Sequence, residues 1–459
     1  MKKKKILQFI LALSLLILMS GCVLENSQPV TTDSPENVTF TFNVKVIGTR
    51  ANDNLPAEII SSLRVIMVSI GENGNESLEK NELISNVVVN EDNMLTVRLP
   101  QVTPGQKKRL YLLANCENPY LQIKAEGNEL SLTDEMTFIS DNDGEVFLEK
   151  ATFIAPKGSY EKNNLAESEG LVTPYTALHK IYLPELAEMK PEYVSKIGEN
   201  INYTFPERLL LVRAMNKITF EFYNNSGIDL NVTGFSLYDV NANGMTYLLA
   251  ALDDGISNPV YASFENSGDD VNPAWMKWLA AEADKTNPDG IITGNEWLSN
   301  YKMPEEENSV FSFSKTDKEI PESVSDGIFL ENGSVTFTSP VYFPETKYIT
   351  SGGKQEYEIS FKVWSKESES ASWESVEEFT DEKRTLANLQ SLFRNTHVVI
   401  KVYFTELPDK SLDMDVDVDH DPYDDVELNP EFGLASWDAT TDRDPYDETE
   451  LNPEFGLQE

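Results

Sequence analysis

The chain has 459 residues, a length typical of two or three domains, and 40% of them are apolar, enough to bury a core. Its 37 Lys and Arg against 77 Asp and Glu give a net charge of −40. This argues against nucleic acid or an anionic membrane surface as a partner, since both need a basic patch. Two cysteines exclude a disulfide scaffold, and three histidines leave little for histidine-based metal or triad chemistry.

The N-terminus reads as a secretion signal. Lys2–Lys5 precede the apolar run Ile6–Met19, which is shorter than the roughly 20 residues that span a bilayer. Ser20 and Gly21 then lead into Cys22, an arrangement that resembles the lipobox of bacterial lipoproteins. We therefore expect residues 1–21 to be removed, Cys22 to be acylated and the precursor to be tethered to the outer membrane by lipid. The remaining cysteine, Cys116, is expected to be a buried, inert thiol.

A strand with one buried face is predicted directly after a polar tether. Every second residue from Val38 to Val46 is apolar, and the residues between them are polar. The apolar positions are Val38, Phe40, Phe42, Val44 and Val46. The pattern ends at a polar link over residues 48–54, which contains Arg50 and Ala51.

Short strands and frequent turns along the rest of the chain favour β-sandwiches. Strands are predicted at Ser62–Ile70, Met94–Leu99, Lys108–Asn115, Glu145–Ile154, Leu209–Tyr223, Asn231–Tyr238, Gly333–Phe343, Glu356–Ser365 and His397–Phe404. A change of composition near Gly198–Pro206 places a domain boundary after residue 206. The predicted units are residues 51–206 and 207–408, and a small helical insert is predicted near Ala274–Asp284.

The C-terminal tail, residues 409–459, contains 18 acidic residues against Lys410 and Arg443. Residues 421–434 recur as residues 444–457 with twelve of fourteen positions identical. Alternating aspartates from Asp413 onward invite comparison with an EF-hand calcium loop, but Val418 stands where that loop needs glycine. An acidic strand is the preferred interpretation, and no metal site is predicted.

No arrangement of residues reaches the standard of a catalytic site, so the chain is not expected to be an enzyme and no cofactor is expected. His179 is predicted to be a surface or structural histidine in a loop, and His397 to open a strand. The tryptophans Trp275 and Trp278 could form a sugar-stacking platform, but at helical spacing they are more often core residues.

Several segments together resemble the fimbrillins, the type V pilins of Bacteroidia. The resemblance rests on their order and spacing over most of the chain. The segments are the lipobox at Cys22, the strand 37–47 followed by Arg50–Ala51, Gly105–Asn115, Leu211–Phe220, Phe393–Tyr403 and the terminal Leu412–Val418. The resemblance implies an all-β chain of two tandem transthyretin-like β-sandwich domains.

The resemblance also implies how subunits assemble. An Arg-specific protease would cut between Arg50 and Ala51, so that residues 22–50 leave with the lipid and the first strand. The vacated groove would accept a donor strand from the tail of another subunit. The expected donor positions are Leu412, Met414, Val416, Val418, Val426, Leu428, Phe432 and Leu434.

The preferred hypothesis is a structural subunit of a cell-surface fimbria that supports adhesion, with other fimbrial subunits, including copies of itself in a homopolymer, as partners. An anchor or tip accessory protein of the same family is the first alternative. The second is a surface lipoprotein that binds glycan or calcium and does not polymerise.

Overall fold

The structure is a computed structural model that describes part of the chain. The described residues are 37–47, 59–90, 92–117, 122–125, 128–129, 132, 148, 151–154, 173–197, 200–240, 245–249, 251–252, 301–302, 309–338, 340–347, 357–366, 371–387, 389, 391–408 and 410–420. The predicted helical insert at Ala274–Asp284 lies outside them. Within these ranges no helix is long and apolar enough to cross a membrane.

The described residues are nearly all β, which confirms the predicted fold class. The first half contributes β1 (Val38–Ile47), β2 (Ser62–Ile70), β3 (Glu76–Ser85), β4 (Met94–Val102), β5 (Gln106–Ala114), β6 (Gln122–Ala125), β7 (Asn128–Glu129), β8 (Thr152–Ile154), β9 (Tyr175–Leu183), β10 (Val194–Ile197) and β11 (Asn200–Arg213). A 3₁₀ turn spans Pro191–Tyr193.

The second half is built in the same way, with a second 3₁₀ turn at Val324–Asp326. Its strands are β12 (Met215–Asn225), β13 (Leu230–Val240), β14 (Met245–Tyr247), β15 (Ala251–Leu252), β16 (Tyr301–Lys302), β17 (Ser309–Ser314), β18 (Ile328–Leu330), β19 (Val335–Phe337), β20 (Val341–Pro344), β21 (Thr346–Lys347), β22 (Glu358–Ser365), β23 (Glu374–Ser375), β24 (Arg384–Thr385), β25 (Ser391–Leu392), β26 (His397–Glu406) and β27 (Leu412–His420).

The main sheet of the first half has the order β3-β2-β5-β9-β11-β1-β4, with β10 added beside β11, and β6, β7 and β8 form a separate four-stranded sheet with β14. Only two residue pairs join β9 to β11, at Val212↔Thr176 and Arg213↔Tyr175. The sheet bends where β9 meets β11, so its two parts face each other. They share one core of apolar side chains from β1, β2, β4, β5, β9 and β11.

Two sheets form the second half, in the orders β19-β12-β26-β27 and β17-β13-β22-β23. Their inner faces meet through aromatic side chains. The Phe220 ring lies 4.8 Å from that of Phe235, and Phe222 lies 5.7 Å from Phe361. The two halves are also continuous with each other, since β8 of the first half pairs with β14 of the second.

Two predicted strands are corrected by the structure. The segment Leu209–Tyr223 is not one strand, because the chain passes from the first sheet to the second at Ala214, between β11 and β12. The predicted boundary after residue 206 therefore falls inside β11. The segment Gly333–Phe343 is likewise divided into β19 and β20, which pair with different parts of β12.

Candidate functional site

The candidate site is the slot that β1 occupies in the first sheet. β1 pairs in parallel with β11 on one side, from Thr39↔Asn202 to Ile47↔Val212. It pairs antiparallel with β4 on the other side, from Val38↔Val102 to Lys45↔Met94. Backbone groups on both sides of this ten-residue strand are therefore used within the sheet.

The predicted inward face of β1 is buried. The side chains of Val38, Phe40, Phe42, Val44 and Val46 are each at most 1% exposed and belong to the core of the first half. The Phe40 ring lies 5.1 Å from Phe42, 6.4 Å from Tyr203 and 5.9 Å from Phe205. The strand is thus an integral part of this core.

The outward face of β1 is fixed by polar contacts with both neighbours. Thr41 Oγ1 donates to Asn202 Oδ1 on β11 at 2.7 Å. Thr96 Oγ1 on β4 donates to Asn43 Oδ1 at 2.8 Å. These contacts hold β1 in one register.

The register of β1 against β11 shifts between Thr41 and Asn43, whose partners are Thr204 and Arg208. The extra residues on β11 include Pro206, which has no backbone N–H to donate to a neighbouring strand. A bulge here lets β11 accommodate the proline without losing the pairing on either side.

Among the described residues β4 pairs only with β1. Loss of β1 would leave β4 without a neighbour and would expose one side of β11. It would also open the apolar core along the length of the slot. An exposed row of backbone groups beside an apolar groove is the geometry that accepts an added strand.

The predicted donor positions divide into two groups. Leu412, Met414, Val416 and Val418 lie on β27, which pairs antiparallel with β26 at the edge of its own sheet. Met414 is 2% and Val416 8% exposed, so their side chains already fill the core of the second half. Val426, Leu428, Phe432 and Leu434 lie outside the described residues, as do Cys22, Arg50 and Ala51.

Residues 412–420 form a strand, as the acidic-strand interpretation predicts, where an EF-hand would require a loop. The described residues hold no group of three or more His, Cys, Asp or Glu placed to bind a metal ion.

The two histidines and the cysteine have structural positions. His179 was predicted in a loop, but it lies buried within β9, and its Nε2 is 2.9 Å from the carbonyl oxygen of Leu210. His397 opens β26, as predicted. Cys116 is buried, as predicted, and burial raises the pKa of its thiol far above the usual range, which disfavours the reactive thiolate.

Sequence analysis missed a buried ion pair of the second half whose arginine also bonds to the first half. Arg394 and Glu345 have fully buried side chains, with Arg394 Nη2 2.5 Å from Glu345 Oε1. Arg394 Nη1 also donates to Thr176 Oγ1 on β9 at 3.2 Å, and Nη2 donates to the carbonyl oxygen of Tyr247 at 2.7 Å. The sequence signal for this ion pair was Arg394 in the segment Phe393–Tyr403, because an arginine beside an apolar strand needs partners once it is buried.

A second buried ion pair lies in the first half. Lys108 Nζ is 2.6 Å from Glu79 Oε2 and 2.8 Å from Ser69 Oγ. Burial alone would raise the pKa of the Glu79 carboxyl, but hydrogen bonds from Lys108, Ser69 and the backbone of Thr103 outweigh it and lower that pKa below 4.5. Burial lowers the pKa of Lys108.

Replacing Glu79 by Gln should destabilise the chain by roughly 3 kcal/mol at pH 7, because it leaves the buried Lys108 without its carboxylate. Since Glu79 has a lower pKa folded than unfolded, its contribution is fully present above about pH 4.5 and is lost as pH falls through the folded pKa. Melting temperatures of the parent and E79Q should therefore differ at pH 7 and converge as the pH falls below the folded pKa of Glu79. The matched control is E82Q on the same strand, and an E79Q gap that persists at low pH would contradict the assignment.

The sequence matches no family model and no curated protein. Solved structures do match. The tip fimbrial protein Mfa3 of Porphyromonas gingivalis is 9% identical over 84% of this chain and 99% of its own, with a TM-score of 0.33. The fimbrial anchor protein Mfa2 of the same organism is 9% identical over 83% and 98%, with a TM-score of 0.33. A candidate cell adhesion protein of Parabacteroides distasonis is 11% identical over 84% and 97%, with a TM-score of 0.39.

The matching structures include fimbrial proteins and candidate adhesins of Bacteroidia.

Proposed function

We propose that this chain is a structural subunit of a cell-surface fimbria. It is exported as a lipoprotein acylated at Cys22, processed after Arg50 and polymerised by strand exchange, and the resulting fibre supports adhesion. Its partners are other copies or other fimbrial subunits, an Arg-specific protease and, before processing, the outer membrane. The observation that carries the proposal is the enclosure of β1 between β11 and β4.

That enclosure supports a single-cut mechanism. The polar tether of residues 23–36 precedes β1 directly, and the link that contains Arg50 follows it. One cut after Arg50 therefore detaches both the lipid anchor and the strand that fills the slot. The precursor stays monomeric because its own strand blocks the groove.

The proposed donor strand follows His420 in the sequence. β27 already has a neighbour in β26, and its apolar side chains are packed in its own core. Withdrawing it would open the second half. We therefore assign the exchanged strand to Val426, Leu428, Phe432 and Leu434 or to the repeated copy of this segment at residues 444–457, and we assign β27 as its base. The groove belongs to the first half, whereas β27, the base of the donor, belongs to the second half, so the proposed contact is head-to-tail and can grow into a filament.

The experiment uses a lipid-free chain that starts at Val23, with and without a trypsin-like protease. A new N-terminus at Ala51 and an SDS-resistant ladder on unboiled gels are expected. R50Q should give neither the Ala51 terminus nor the ladder, because the protease has no arginine to cut at this position. A chain ending at His420 should be cut but should form no ladder, and a ladder from that chain would contradict the assignment of the donor.

An accessory subunit is the second candidate, favoured by the docking of β27 in its own sheet. Such a subunit would accept a strand but donate none. Cleavage at Ala51 without a homopolymer ladder would support it. A chain that stays intact and monomeric would instead indicate a surface lipoprotein that does not polymerise.

A further inference from the structure

Four backbone groups of β27 that point away from β26 are occupied by side chains of the same chain. β27 lies at the end of its sheet order, with β26 on one side and, among the described residues, no strand on the other. Its apolar residues alternate with aspartates over nine residues. A long edge strand with one apolar face is a template for pairing with another chain.

Three aspartates occupy backbone donors along this strand. In each case the carboxylate Oδ1 accepts the backbone N–H of the following residue at 2.9 Å. The pairs are Met414 N to Asp413, Val416 N to Asp415 and Val418 N to Asp417. N–H groups of alternate residues in a strand point to the same side, so these three donors belong to one side of β27.

An arginine from the opposite sheet occupies an acceptor on that same side. Arg384 Nε on β24 donates to the carbonyl oxygen of Met414 at 2.7 Å. The N–H and C=O of one strand residue point the same way, so Met414 has both of its backbone groups satisfied away from β26. Arg384 Nη2 also lies 3.4 Å from Asp413 Oδ1, so this contact is joined to the first aspartate of the strand.

The other long edges of the described sheets are protected differently. β4 carries Pro100, which cannot donate to an added strand, and β3 carries a mixture of charged side chains at Glu76, Glu79, Lys80 and Glu82. β27 has no proline and no lysine. Its aspartates carry negative charge, as the acidic side chains of β3 do, and in addition they and Arg384 occupy backbone groups of the strand.

We infer that the aspartate ladder of Asp413, Asp415 and Asp417, together with Arg384, closes the edge of the second sheet against strand addition by another copy of this chain. Strand addition is thereby directed away from this edge. This protection belongs to the second half alone and operates in the uncut chain, in which β1 fills its slot. It therefore stands or fails separately from the proposed polymerisation.

The test compares three triple variants of the uncut chain that starts at Val23. D413A/D415A/D417A removes the acceptors and three charges. D413N/D415N/D417N removes the same charges but keeps an oxygen acceptor at each position. E374A/E377A/E378A removes three charges from exposed residues elsewhere on the surface. Self-association is followed by sedimentation velocity over a concentration series.

The Ala variant should associate at concentrations where the Asn variant, the Glu control and the parent remain monomeric. Equal association of the Ala and Asn variants would show that charge repulsion, not occupation of the N–H groups, protects the edge. A monomeric Ala variant that retains its fold would overturn the inference as well.

Amide hydrogen exchange gives a second measurement that does not depend on the triple variant folding. In the parent, the amides of Met414, Val416 and Val418 should exchange about tenfold more slowly than unbonded edge amides, as expected for charge-assisted hydrogen bonds. In the single variant D415A, Val416 alone should lose that protection. Fast exchange at all three amides in the parent would contradict the ladder.

Discussion

Replacing Phe40 by Ala should lower the free energy of unfolding of the uncut chain by about 3–5 kcal/mol. The Phe40 side chain is fully buried in the core of the first half and contacts the rings of Phe42, Tyr203 and Phe205. Removing it leaves a cavity between rings that come from two different strands. The measurement is urea unfolding, with an unchanged slope showing that the unfolding reaction is the same.

The matched control is T39A, one residue earlier and on the outward face of the same strand. It should change stability by less than about 1 kcal/mol, because it removes little buried apolar surface. A small effect of F40A, similar to that of T39A, would show that β1 is only loosely attached. The structure of the slot would then not depend on β1.

Replacing Arg394 by Met should cost about 3–5 kcal/mol, because it leaves the buried Glu345 carboxylate without its counter-charge. Arg394 also contacts Thr176 and the carbonyl oxygen of Tyr247, so the loss should loosen the junction between the halves. Thermal unfolding should show a lower melting temperature and, if the halves separate, a broader transition.

A double variant separates the ion pair from the packing. R394M/E345M removes both charges and should be more stable than R394M alone, because no unpaired charge remains buried. K318M removes an exposed partner of Glu322 and Asp326 and should leave the melting temperature nearly unchanged. Equal losses in R394M and K318M would contradict the role assigned to Arg394.

Strands whose two faces differ in polarity were predictable from the sequence. The strict alternation in Val38–Val46 corresponds to β1, whereas the apolar run at Ser62–Ile70 corresponds to β2, which is buried on both faces. Alternation of apolar and polar residues predicts that one face of a strand is buried, because the apolar side chains on that face pack into the core. The same pattern in Leu412–Val418 favoured a strand over a calcium loop, and β27 is a strand.

Sheet membership was not predictable in the same way. The apolar run through Leu209–Tyr223 continues without a turn signal, yet the chain changes sheets at Ala214. The composition near Pro206 suggested a domain boundary, but β11 continues through Pro206 with a bulge next to β1. His179 followed a proline-containing segment that read as a loop, and its burial in β9 depends on contacts with β11 that are distant in sequence.

Only part of the candidate site was predictable from the sequence. Alternation identified the inward face of β1, whereas its parallel pairing with β11 depends on a crossover of more than a hundred residues. The buried partners of Arg394 come from three separate segments, so no local pattern reveals them. The hydrogen bonds of the aspartates on β27 depend on which side of the strand is left open, which follows from its position at the sheet edge.

The most direct test of the account locks β1 in its slot. Asn43 and Thr96 lie opposite each other on β1 and β4, a spacing that a disulfide can bridge. In a chain that starts at Val23, N43C/T96C adds the only cysteines other than the buried Cys116.

After cleavage at Arg50, the oxidised variant should keep residues 23–50 covalently attached and should form no SDS-resistant ladder. Adding reductant should release that fragment and restore the ladder. A ladder of equal strength from the oxidised chain would show that assembly does not use the slot of β1 and would contradict the account.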